Sequence, residues 1–436
     1  TLPTLPSLFG ENQRWVRARY PNGNPETDQW GYQSPHRLNY SIDGSQVLEW
    51  HKPPPNGTLP TFEYHNVGTN VSQMFHFYAT GRGGVCDLWG DEPSYWCSNV
   101  SAGGWAEVDR ECATTGRLQI PVGLTYNVST PLGKRFSKWK YSKGGIVHAW
   151  HSQSWAMHMF GIESASSSGQ FKFAKGAGNQ GGRNWCRCDQ CTYAASWCGQ
   201  YRNEFDDRLI SGAWLVENVL DELDAPGEYY FDKDSKLLYV FPNHTNDLLN
   251  LRLGTLETLV LIQGATDATI SGLGFRDTPS TYLSSWSVPS GGDWAIHRGG
   301  AILIEDSERV TVKDCTFRRL DNNAIFLSKR TRNVRLSRNT FEWLGESAIA
   351  MWGSTDGLNA TGRDFPLYTV IEGNMMRELG IYQKQSSAVA HNKAALTTIR
   401  NNIMFNIPRA AINFNDMLGG GDVVERNLIF NTCRGS

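Results

Sequence analysis

From about residue 255 onward, apolar and polar positions recur in a fixed register. Six segments align: Ile270-Ser-Gly-Leu-Gly-Phe275, Val312-Lys-Asp-Cys-Thr-Phe317, Leu336-Ser-Arg-Asn-Thr-Phe341, Ile371-Glu-Gly-Asn-Met-Met376, Ile399-Arg-Asn-Asn-Ile-Met404 and Val424-Glu-Arg-Asn-Leu-Ile429. Each places an aliphatic residue, two mostly polar residues, then Asn (Leu273 and Cys315 in the first two), then an apolar residue two further on. Positions 315, 339, 374, 402 and 427 follow one another at 24, 35, 28 and 25 residues, the longest step holding an insertion at 353–366. A second set of short apolar runs interleaves with these: Ala301-Ile-Leu-Ile, Ala324-Ile-Phe-Leu, Ala348-Ile-Ala-Met and Ala411-Ile-Asn-Phe.

A repeat of about 20–30 residues with three short strands per turn is the signature of a parallel β-helix. Stacked coils set the same turn residue above itself about every 4.8 Å. Asn tolerates left-handed backbone at such a turn. Its amide both donates and accepts, so a column of Asn satisfies itself along the axis. Unrelated antiparallel strands would not place four successive Asn at matching positions. Cys315, on the same ladder, is expected to be a small buried free thiol.

Residues 1–250 read differently, as an irregular β-rich domain with long loops. Trp, Cys and Gly crowd this half. The run Gly145-Ile-Val-His-Ala-Trp-His-Ser-Gln-Ser-Trp-Ala-Met-His-Met-Phe160 alternates in places and predicts strands. Leu237-Leu-Tyr-Val-Phe241 predicts another, ended by Pro242-Asn243. No amphipathic helix longer than three turns is predicted.

Composition narrows the class. The chain has 436 residues, 41 Lys+Arg against 43 Asp+Glu and a formal net charge of −2, which gives no electrostatic reason for a nucleic-acid or anionic-membrane partner. Charged residues make up only 19%, against disorder. No apolar run reaches the roughly 18 residues of a membrane span. The first residues, TLPTLPSLFG, show no basic n-region or apolar h-region, so any signal peptide is expected to have been removed already. Seven Asn-x-Ser/Thr sequons occur, at Asn39, Asn56, Asn70, Asn99, Asn127, Asn243 and Asn359. Together with nine Cys they predict a secreted, extracellular glycoprotein. Cys86, Cys97, Cys112, Cys186, Cys188, Cys191 and Cys198 are expected to form disulfides; an odd total with Cys315 and Cys433 leaves at least one unpaired within the chain. The cluster Cys186-Arg-Cys-Asp-Gln-Cys191 with Cys198 imitates a zinc knuckle, but in a glycoprotein the disulfide reading dominates. His148, His151 and His158 are spaced 3 and 7 apart and do not share one strand face cleanly. No metal and no cofactor is expected.

The stretch Val216-Glu-Asn-Val-Leu-Asp-Glu-Leu-Asp-Ala-Pro-Gly-Glu-Tyr-Tyr-Phe-Asp232, followed by Leu238-Tyr-Val-Phe-Pro242, resembles a signature of right-handed parallel β-helix glycoside hydrolases of the pectin-lyase-like superfamily. The closest in flavour are the families holding β-xylosidases and α-fucosidases. Arg17-Ala-Arg-Tyr-Pro-Asn22 and Pro408-Arg-Ala-Ala-Ile-Asn-Phe-Asn-Asp-Met-Leu-Gly-Gly-Gly421 are also similar. The resemblance implies an all-β fold: a right-handed parallel β-helix over 251–436 behind an N-terminal, disulfide-bearing β-rich domain at 1–250. It covers most of the chain and speaks for architecture more than activity. Two departures stand out. Arg17-Ala-Arg usually follows opening coils, and here 16 residues precede it. The repeat also runs up to Cys433, so another chain or a continuation is expected to complete the helix.

The implied chemistry is hydrolysis of an extracellular polysaccharide or other glycan by two carboxyl groups, one protonated and one ionised. Such enzymes tend to place the site on the first strands and their turns. There lie Glu305, Asp306, Asp356 and Asp416. Asp416 is the expected nucleophile or base: it ends the Asn413-Phe-Asn-Asp run before Gly419-Gly-Gly, where backbone can approach a ligand closely. Its alternative is a turn cap. Glu305 is expected three coils away and outward-facing, about 14 Å from Asp416 at about 4.8 Å per coil. Asn413, Asn415, His391 and Trp352 are the remaining groove candidates, with structural packing the blander reading of His391 and an equal one for Trp352. A non-catalytic structural or adhesive glycoprotein, or a glycan-binding module, are rival uses of the scaffold.

Overall fold

The computed structural model describes residues 5–20, 22, 76–78, 123–125, 128–129, 131–150, 157–174, 214–284, 286–287, 296–354, 360–415 and 419–432. The expected β-helix is present: three sheets of six parallel strands each wrap one core. The first sheet stacks Val260–Gln263, Ile302–Glu305, Ile325–Ser328, Ile349–Trp352, Ser387–Asn392 and Ala410–Asn415. These strands open coils 1 to 6 in turn. The second and third sheets run from Thr269–Ser271 to Val423–Glu425 and from Gly274–Arg276 to Leu428–Phe430. The fold is thus an all-β, right-handed parallel β-helix, and among the described residues the one α-helix is Pro131–Phe136.

Alternation decides which side chains enter the core. On the first sheet, Val260, Ile302, Ile325, Ile349, Val389 and Ile412 form one register column. Ile262, Ile304, Leu327, Met351, His391 and Phe414 form the second inward column. On the third sheet, Phe275, Phe317 and Phe341 stack with ring centroids 4.9 and 4.7 Å apart. Identical side chains at one coil spacing make such stacks possible.

The Asn column forms as expected. Asn339 N donates to Asn374 Oδ1 (2.9 Å), Asn374 N to Asn402 Oδ1 (2.9 Å) and Asn402 N to Asn427 Oδ1 (3.0 Å). Each Nδ2 also donates to the preceding coil, Asn374 Nδ2 to Leu336 O at 3.0 Å. Cys315 begins the column: its N donates to Asn339 Oδ1, and its thiol is free and buried. One detail differs from expectation. The left-handed residue is the one before the Asn: Asp314, Arg338, Gly373, Asn401 and Arg426 all have φ between 54° and 64°. Asn is therefore selected for its amide, and the neighbour takes the backbone strain. Asn374→Leu should cost about 2–3 kcal/mol, because Asn339 N and Leu336 O lose buried partners. Chemical denaturation of the variant checks this.

The remaining strands buttress the helix. Ser7–Phe9 pairs with Arg252–Gly254, and Val16–Arg17 runs parallel to Glu228–Phe231, whose other edge takes Leu238–Phe241. A seven-stranded antiparallel sheet includes the strands expected over 145–160, here Ile146–Trp150 paired with Met157–Ser166, and Trp214–Glu217. Long-range charge pairs tie these parts to the coils. Arg14 Nε donates to Asp321 Oδ1 at 2.7 Å, with both side chains fully buried. Glu217, also fully buried, takes Arg19 at 2.9 Å, Arg17 at 3.3 Å and the hydroxyl of Tyr282. At coil 6 the inward residues Phe414, Val424 and Ile429 are 43–47% exposed, where coils 2 to 5 bury these columns.

Candidate functional site

A pocket opens on the outer face of the first sheet. Its floor is Ala390, Asn392 and Asn413; its walls include Asn323, Glu346 and Ser347 from turns that precede strands. Residues 383–386 supply Gln383, Gln385 and Ser386, and Ile296 closes one side. No Lys, Arg or His is among these lining residues.

Glu346 is the chemically active group in this wall. Its side chain lies in the turn Leu344-Gly-Glu-Ser-Ala348, one coil beyond Leu320-Asp-Asn-Asn-Ala324. The turn needs Gly345, because a Cβ there would stand 2.4 Å from Asp321 O. Glu346 is 1% exposed. Its Oε1 accepts from Thr281 Oγ1 at 2.6 Å, while Oε2 has no hydrogen-bond partner among the described residues. Burial pushes its carboxyl up to about 8; the negative charges of Glu257 and Asp321 add to this, and the Thr281 bond opposes it. Glu346 is therefore a neutral acid at pH 7. Asp321 is occupied by Arg14. Glu257 is half-buried, with Oε2 3.8 Å from His297 Nε2 and Ser284 Oγ donating to Oε1 at 3.3 Å.

The residues expected from sequence are placed as follows. Glu305, Trp352 and Asn392 share one outward column with Gln263 and Ser328, and Asn415 is the register partner of Asn392. Glu305 is outward as expected, but four strands from Ala410–Asn415 rather than three coils. Burial opposes its charge, yet bonds from Ser328 and Lys329 hold its carboxyl below the usual carboxylate range. Trp352 is 2% exposed, with the Arg298 guanidinium 4.2 Å over its ring, so neither face is open for a sugar. Asn413 lies on the pocket floor. His391 faces inward: Nε2 lies 3.1 Å from Thr397 Oγ1 and 3.2 Å from Asp422, with the ring tilted on Phe414. That is the structural reading of this histidine. Gly419 approaches the chain's own backbone, since a Cβ there would stand 2.8 Å from Ala394 O. Asp416, Asp356, Asn39, Asn56, Asn70, Asn99, Asn127, Asn359 and Cys86, Cys97, Cys112, Cys186, Cys188, Cys191, Cys198 lie outside the described residues. Asp306 turns a coil corner at φ 48°, and Asn243 is exposed.

Sequence reasoning passed over Glu346 and Glu257 because both precede their strands. The available signal was the repeated turn, in which Glu346 stands where the previous coil has Asn322.

No family description and no curated protein matches the chain. A solved structure described as a glycoside hydrolase superposes on it with a TM-score of 0.53 at 12% sequence identity. The match covers 95% of this chain and 60% of that one, so the chain spans 60% of that protein's length. The likeness shows a shared fold.

Proposed function

We propose that the protein is a carbohydrate-active β-helix protein that hydrolyses glycosidic bonds, with Glu346 as the general acid. The observation that carries this is Glu346 itself: a buried, neutral carboxyl with one unpartnered oxygen, in the wall of a pocket lined with amides. Glycoside hydrolysis needs a carboxylic acid that protonates the leaving oxygen and a second, ionised carboxylate. The described lining residues hold no second carboxylate, so that role is not assigned among them. Asp416 follows Asn415 in sequence and is kept as a further acidic candidate, tested by Asp416→Asn. The solved glycoside hydrolase of the same fold supports the general class. Release of reducing sugar from plant and algal polysaccharides by the wild type, and its loss in Glu346→Gln, tests the reading. If neither protein releases sugar, the glycan-binding module is the surviving use of the pocket.

The same reading places the protein outside the cell, as a disulfide-bonded glycoprotein. The exposed sequon at Asn243, in a turn after Leu238–Phe241, supports it. Protein from a eukaryotic secretory host should lose mass on treatment with a peptide N-glycosidase, and the seven early cysteines should resist alkylation without reductant. An unchanged mass and freely alkylated thiols would refute this. The exposed inward residues of coil 6 support a further coil, from a continuation or another chain, as their cover.

A further inference from the structure

The loop that carries Gln383 is stitched to the turn that carries Glu346. Ile381 N donates to Leu344 O at 2.9 Å, and Tyr382 N and Gln383 N both donate to Gly345 O at 3.0 Å. Gly380 N donates to Glu346 O at 3.1 Å. Lys384 Nζ closes the loop on itself through Gly380 O and Ile381 O, at 3.0 and 2.9 Å. Four backbone bonds therefore fix Gln383 beside Glu346. Gln383 is 1% exposed, and its Oε1 accepts from Gln385 N at 3.1 Å. That bond sets the amide orientation and leaves Nε2 as the free end. Nε2 has no partner among the described residues.

Two buried polar atoms on adjacent lining residues are thus unsatisfied: an amide donor on Gln383 and a carboxyl oxygen on Glu346. Leaving such groups unpaired costs more than a made hydrogen bond gains, so a ligand that pairs both is favoured. A sugar ring offers hydroxyls that both accept and donate. Among the described lining residues an anionic sugar meets no cation, and it would bring a second negative charge into a site that already contains a carboxyl.

We propose that Gln383 is a specificity-determining residue, its Nε2 donating to a hydroxyl of the same sugar ring that meets Glu346. The pocket accordingly selects a neutral monosaccharide unit over a uronic acid or a sulfated sugar. This rests on the carbohydrate reading above and adds its substrate class.

The test reads binding, so it is independent of turnover. Calorimetry of the wild-type protein would compare the matched pairs glucose with glucuronate and galactose with galacturonate, and xylose and fucose alone. At least one neutral sugar is expected to bind, and any uronate partner to bind at least about tenfold more weakly. Gln383→Glu keeps the acceptor for Gln385 N and removes the donor. It should weaken neutral-sugar binding by about tenfold or more, measured at a temperature where circular dichroism shows the variant folded. Uronates bound as tightly as their neutral partners, no neutral sugar bound, or full affinity in a folded Gln383→Glu variant would each overturn the inference. If neutral sugars bind as expected while Glu346→Gln leaves hydrolysis intact, the acid assignment fails and the Gln383 assignment stands.

Discussion

Glu346→Gln is expected to reduce glycoside hydrolysis by about 10²–10⁴-fold, the usual contribution of a positioned general acid. Gln is close in shape and accepts the Thr281 bond as Glu346 does, so the fold should survive. The variant is also expected to change how stability depends on pH. A carboxyl raised in the folded state to about 8 contributes stability that is fully present below the ordinary carboxyl value of 4.5. That contribution is lost as the pH rises through about 8, because a buried charge must then form. Wild-type stability should fall from pH 5 to pH 9 by more than that of the Gln variant, which has no proton to lose there. At pH 9 the variant should be the more stable of the two. Activity should likewise decline above about pH 8, where the acid is deprotonated. Thermal unfolding of both proteins at pH 5, 7 and 9 and a rate profile of the wild type measure these effects.

The second large effect is expected at Glu217, far from the pocket in sequence and joined to it through one segment. Glu217→Leu should destabilise the protein by about 3–5 kcal/mol, because two buried guanidiniums lose their counter-charge. Arg17 and Arg19 are each 1% exposed in their side chains. The loss should also reach the site. Tyr282 donates to Glu217, and Thr281, the residue before it, holds the Glu346 carboxyl. Burial opposes the charge of Glu217, but His148, Arg17 and Arg19 outweigh it and hold its carboxyl well below the usual range. Its contribution is therefore present above the ordinary value of 4.5 and lost as the pH falls into the acid range. The wild type should lose more stability than the variant between pH 5 and pH 3. Urea midpoints across that range provide the check, and a destabilisation under about 1 kcal/mol would contradict the buried-pair argument.

The β-helix was legible because its physics repeats. Each coil must bury an aliphatic residue, turn a corner and satisfy an amide, so the requirements leave a period in the sequence. Asn339, Asn374, Asn402 and Asn427 are that period made visible. The strained residue beside each Asn was not legible, because Asp, Arg, Gly and Asn all occupy it in turn. The site was harder still. Trp352, Glu305 and His391 have the residue types of a sugar site, but burial under Arg298, pairing with Lys329 and an inward register give them other partners. Glu346 owes its chemistry to groups 25 to 89 positions away: Thr281, Glu257 and Asp321. Nothing local in Leu-Gly-Glu-Ser-Ala announces a carboxyl that stays neutral at pH 7. Long-range desolvation, unlike a turn or a strand face, has no short sequence pattern.

Carbon-13 NMR of the glutamate carboxyl groups, titrated in the wild type and in Glu346→Gln, reads the protonation state of Glu346 itself. One wild-type resonance, absent from the variant, is expected with a midpoint near 8. If the resonance missing from the variant instead titrates near the ordinary 4.5, Glu346 is ionised at neutral pH and cannot be the acid of this site.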